Sequence, residues 1–171
     1  PMPKSIAIRQ DICSSAFFFS PSWSYSLFKT HLNPSESNLK VLKKNNIKKI
    51  VVSYRDLRDV ALARYYRLLK FPKKKNEPYY LPPEKQYKNI SKEEGMNDCI
   101  KVICEFVPNW IFNWFEISKR EKGLILFCKF EDLITQPKKE FKKILSFYEI
   151  NLKESKIEKI IKQKKRKKKH G

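Results

Sequence analysis

Two short apolar runs, "IKKIVVSY" (Ile47–Tyr54) and "LILFCKF" (Leu124–Phe130), constrain what this chain can fold into. Each is rich in branched or aromatic residues, short enough for a strand and bounded by charge, which is the pattern of a strand buried on both faces. A helical pattern follows each of them. After the first, Asp56–Leu69 places Leu57, Val60, Ala61, Tyr65, Leu68 and Leu69 at helical spacing. After the second, beyond Gln136-Pro137, "KKEFKKILSFY" puts Phe141, Ile144, Leu145 and Tyr148 on one helical face. Upstream, Ser35 is placed to cap a helix reaching about Asn45, with Leu39 and Leu42 on a shared face. A further helical pattern spans Asp98–Ser118, where Pro108 is expected to kink or divide it. Strands alternating with helices predict an α/β fold with a central parallel sheet flanked by helices.

A length of 171 residues with 41% hydrophobic content suits one domain with a sizeable core. The expected organisation is a single α/β domain over residues 1–161 and a basic, disordered tail over 162–171. Phe71–Gly95 carries four prolines and three tyrosines (Tyr79, Tyr80, Tyr87), and is expected to be an irregular lid or acceptor loop. Trp110, Trp114, Phe106 and Phe141 read as core. Glu131 and Asp132 read as braces of the turn after the second strand.

Composition excludes several chemistries. With only three glycines, at 95, 123 and 171, neither the dinucleotide loop G-x-G-x-x-G nor the Walker A loop can be built. Two histidines and no H-E-x-x-H or Cys/His cluster give no basis for a metal site. Cys13, Cys99, Cys104 and Cys128 form no C-x-x-C pair, as expected of a reduced, cytoplasmic protein. No apolar run approaches the roughly 18 to 20 residues of a membrane span, so a soluble protein is expected. The formal net charge is +20, and Lys162–Lys169 holds seven basic residues in eight positions. The partner is therefore expected to be an anion.

An anion site in such a chain must rely on side-chain cations and helix N-termini. Arg55 leaves the first strand at its carboxyl end and directly precedes a helix, where ligands of open α/β sheets bind. A surface pair of Arg55 with Asp56 or Asp59 is an equally open reading of that spacing. Lys4 and Ser5, in Pro3-Lys4-Ser5, offer a cation and a hydroxyl on what reads as a second such turn. His31 lies in "FKTHLNPS" between Lys29 and Pro34, and on its own is a turn residue. A histidine acts as a base only when it is set against a substrate proton.

Taken in order, Pro3-Lys4-Ser5, Lys29-Thr30-His31-Leu32, "VVSYRDLRD" and "LILFCKFEDLITQPKKEFKKILSFYEI" closely resemble the cytosolic-type sulfotransferase domain. That family transfers a sulfuryl group from 3′-phosphoadenosine 5′-phosphosulfate (PAPS) to a hydroxyl. The resemblance implies a P-loop-NTPase-like fold, here expected to lack the first strand, since only two residues precede Pro3-Lys4-Ser5. It implies that Lys4 and Ser5 bind the 5′-phosphosulfate and that Lys29 helps hold the transferring group. His31 would take the proton of the acceptor, and Arg55 would bind the 3′-phosphate. The implied co-substrate is PAPS, without a metal, and the implied acceptor is a hydroxylated small molecule, lipid or carbohydrate. Nucleic acid is the lesser expectation, through the basic tail.

The chain also departs from that pattern. The family loop continues P-K-S-G-T-T-W, whereas Ser5 here is followed by Ile6-Ala7-Ile8-Arg9. Ala63 stands where the family has a second 3′-phosphate ligand, a serine, and Phe130 stands for the tyrosine of its Y-E-D-L element. Those departures motivate a second expectation: a truncated, catalytically inactive homologue acting as a basic module that binds anions or nucleic acid.

Overall fold

The computed structural model describes residues 31–71 and 85–167. Lys4, Ser5, Lys29, Cys13, Tyr79 and Tyr80 lie outside the described residues, and with them the phosphosulfate-loop positions. Two compact units emerge. One is built from residues 56–117 with the segment ending at Ile47, the other from Lys48–Arg55 with the chain from Ser118 onward.

In the first unit, helix α1 (Glu36–Lys44) begins where the capping residue predicts. The Ser35 side chain accepts from the Asn38 N–H, and Leu39 and Leu42 are buried. Its end is a Schellman turn: Asn46 N–H donates to the Lys43 carbonyl at 3.0 Å and Ile47 N–H to Leu42 at 2.9 Å, with Asn46 at φ 56°. Asparagine tolerates that left-handed conformation because its short polar side chain offsets the Cβ crowding. Helix α2 (Leu57–Lys70) is capped by Asp56, which accepts from the Arg58 N–H.

Helix α3 runs from Lys92 to Arg120 without division, so Pro108 does not split it as the sequence suggests. It also starts earlier than its apolar pattern, so residues 92–95, expected in the irregular excursion, are helical. The helix-favouring run from Lys92 extends the helix, and Ser91 accepts from the Glu94 N–H at 3.0 Å at its start. Tyr87, expected in the lid, is instead in the core. It joins Ala61, Tyr65, Cys99 and Ile103 in one buried cluster.

The second unit holds the two strands, β1 (Ile50–Tyr54) and β2 (Ile125–Lys129), which pair in parallel as predicted, in register from Ile50↔Ile125 to Tyr54↔Lys129. Val52 and Cys128 are their buried positions. Helix α4 (Phe130–Thr135) starts directly on the end of β2 with Glu131 and Asp132 in its first turn. Helix α5 (Pro137–Phe147) has proline at its first position, where no N–H is needed. Helix α6 (Glu154–Lys167) continues into the basic run, so residues 162–167 are helical backbone. Among the described residues the sheet has these two strands.

Candidate functional site

The end of the parallel pair is the best-defined cationic position. Because Tyr54 and Lys129 are register partners, the next residues, Arg55 and Phe130, emerge side by side at the carboxyl edge. The Arg55 guanidinium carbon lies 4.8 Å from the centroid of the Phe130 ring. Arginine stacks on aromatic faces because its planar, weakly hydrated cation is attracted to the negative ring face. Stacking on the ring fixes the plane of the guanidinium. Asp56, the next residue, caps α2: its Oδ1 accepts from the Arg58 N–H at 2.9 Å, and its carboxylate is bridged to the Arg58 guanidinium at 2.6 Å.

His31 belongs to the other unit and is exposed. The backbone that follows it is anchored on several sides. Leu32 is buried, and its carbonyl accepts from Trp110 Nε1 at 2.8 Å. The Asn33 carbonyl accepts from the Ser35 N–H and from Asn38 Nδ2, each at 2.9 Å. Asn38 is itself 1% exposed, so this amide is spent on the turn rather than on solvent. His31 is therefore an exposed residue at the start of a braced turn.

Trp110 and Asn38 were not legible as part of this arrangement. Trp110 looks like core from its spacing, and it is half-buried; its indole N–H gives it a directional role that spacing does not encode. The other aromatics expected in the core follow suit, with Trp114 1% exposed and Phe106 and Phe141 half-buried.

The Tyr87 hydroxyl donates to the Asp98 carboxylate, and the Cys99 thiol donates to Tyr87 at 3.5 Å. Burial and the Asp98 contact push the Tyr87 phenol far up, and burial likewise pushes the Cys99 thiol up. A thiol held protonated is a poor nucleophile. Cys128 is similar: burial and the Glu140 carboxylate raise it. Cys99, Cys104 and Cys128 are free. Among the described residues there is no group of His, Cys, Asp and Glu that could hold a metal ion, and no helix long and apolar enough to cross a membrane.

Chemically, the described residues offer an exposed imidazole on a braced turn and an oriented guanidinium at a strand edge. Comparison with protein families finds a match to the model described as "Sulfotransferase domain" over residues 9–170. No curated protein and no solved structure matches the chain.

Proposed function

Because the chain belongs to the sulfotransferase domain family, we propose that it transfers a sulfuryl group from PAPS to a hydroxyl acceptor. His31 is the general base and Arg55 binds the 3′-phosphate. Lys4 and Ser5 hold the 5′-phosphosulfate, and Lys29 steadies the moving group. Membership supports sulfuryl transfer in general. The observation that carries the finer reading is the register of the parallel pair, which brings Arg55 out at the carboxyl edge with its guanidinium faced by Phe130.

In the transfer, the acceptor oxygen forms a bond to sulfur while the bond from sulfur to the donor phosphate breaks. The imidazole of His31 takes the acceptor proton, and the departing adenosine 3′,5′-bisphosphate keeps the electron pair. Cations around the moving oxygens lower the barrier because charge on the leaving phosphate grows in the transition state. Sulfuryl transfer resembles phosphoryl transfer in that positioning and electrostatics do most of the work. The acceptor is a hydroxylated small molecule, lipid or carbohydrate, and the place of action is the cytoplasm.

Calorimetric titration with adenosine 3′,5′-bisphosphate, paired with an assay of sulfuryl transfer, tests this. His31→Ala should bind the bisphosphate like the unaltered chain and lose transfer by at least about 100-fold, the lower range for a positioned base. Arg55→Ala should weaken bisphosphate binding by about 10- to 100-fold, the equivalent of about 1.5 to 3 kcal/mol for hydrogen bonds to a charged group. Absence of any binding by the unaltered chain would overturn the reading. The alternative, a catalytically silent anion-binding module, is favoured by Ile6 standing where the loop glycine belongs. It predicts binding of polyanions without binding of the bisphosphate.

A further inference from the structure

We propose that the solvent side of α6 binds the phosphate backbone of duplex nucleic acid, a function separate from sulfuryl transfer. The inference rests on how the three sides of this helix are used. One side serves the fold, with Ile157 buried and Ile160 and Ile161 half-buried. The second carries Glu154 and Glu158, the only acidic residues of the helix. Both are engaged by α5. Lys138 Nζ lies 2.6 Å from Glu154 Oε1 and 2.8 Å from Glu158 Oε1, and Lys142 Nζ lies 3.0 Å from Glu154 Oε1. The side that remains presents Lys156, Lys159 and Lys162, all exposed.

Spacing of three residues on a helix puts those lysines at steps of about 4.5 Å along the axis, each turned about 60° around its outer side. Of the two acids of α6, Glu158 lies one turn before Lys162 and its carboxyl is held down by that lysine as well as, more strongly, by Lys138. The basic sequence continues through Lys164, Lys165, Arg166 and Lys167 while the backbone stays helical.

The nature of the surface selects among polyanions. An amphipathic membrane helix needs an apolar face free to enter lipid, and here the isoleucines are taken up by the fold. Single-stranded nucleic acid is gripped through aromatic stacking platforms, and α6 contains no aromatic residue. Duplex nucleic acid needs neither. It presents one negative charge per about 1.7 Å of axis, and its major groove, about 12 Å wide, admits a helix. Lysines alone contact phosphates and not base edges, so the binding is independent of sequence.

The test is the fluorescence anisotropy of a labelled duplex of about 20 base pairs, titrated with the full chain across a series of sodium chloride concentrations. The variant K156Q/K159Q/K162Q is compared with K88Q/K92Q/K101Q, which removes the same charge from exposed lysines of the other unit. Circular dichroism checks that each is folded. Since each phosphate contact contributes about 0.9 to the salt slope, the α6 variant should lower its magnitude by about 2 to 3 and weaken binding at low salt by more than about tenfold. The control variant should change the slope by less than about 1. Equal effects of the two variants would overturn the proposal, since net charge alone would then explain binding. Tighter α6-dependent binding to heparin, or to phosphatidylserine vesicles, than to the duplex would overturn the choice of nucleic acid.

Discussion

At the scale of the residue, the most consequential contact is the hydrogen bond from Trp110 to the Leu32 carbonyl, 2.8 Å long and spanning 78 positions of sequence. It fixes the backbone next to His31, so that, with His31 as the proposed base, Trp110 acts as a positioning residue and not a catalytic one. Trp110→Phe keeps most of the ring and removes the donor. The expected result is a stability loss of about 1 kcal/mol, the typical net worth of one hydrogen bond, read from a urea transition. In the transfer assay kcat should fall several-fold while bisphosphate binding stays unchanged. A fall in bisphosphate affinity equal to the fall in kcat would instead mean that Trp110 is only structural. Nothing in the sequence marks this pair, because a hydrogen bond between distant residues leaves no periodicity behind it.

At the scale of the element, α2 and α3 pack closely through a glycine. A Cβ added at Gly95 would stand 2.9 Å from Tyr65 Cε2, and that ring is itself stacked on Tyr87 with centroids 6.0 Å apart. Gly95→Ala gains about 1 kcal/mol of helix propensity but overpacks the cluster by about 1 to 3 kcal/mol. The clash should win, with the urea midpoint lower than in the unaltered chain. The α5–α6 pair offers a test of charge. Lys138 and Lys142 hold the Glu154 carboxyl down at about 2. A carboxyl lowered on folding stabilises the protein above its unfolded value near 4.5, and the benefit is lost as the pH falls toward about 2. Glu154→Gln should therefore flatten the fall in stability with acid across that window, measured by thermal unfolding from pH 5 to pH 2. An acid limb as steep as before would rule the pair out as its cause. Glu149 illustrates a different limit: it sits at φ 59° in the Schellman turn that ends α5, a place usually given to glycine. Its carboxylate pairs with Lys49 at 2.7 Å, but that exposed pair would not have announced a helix end in the sequence.

At the scale of the whole molecule, a net charge of +20 sets a positive field that any anionic donor meets before it meets a particular side chain. Salt screens this field over roughly 10 Å at 0.1 M. Bisphosphate affinity should accordingly fall several-fold from low to high sodium chloride, with calorimetry as the measurement. An affinity that ignores salt would place the recognition in enclosed contacts instead. The lysine row of α6 adds a local source to that general field.

Much of the framework was legible in advance. Short apolar runs bounded by charge identified both strands, because burial on two faces demands such residues, and Ser35 identified the start of α1, because unsatisfied N–H groups need a nearby oxygen. Family membership was legible through the order of motifs. Other features depended on contacts between residues far apart in the chain: the register that sets Arg55 beside Phe130, the indole that braces the turn after His31, and the burial of Tyr87 against Asp98 and Cys99. Local propensity carries through the backbone from one residue to the next. Register, packing and the orientation of a guanidinium arise only when separate segments meet, and so the tertiary structure alone decided them.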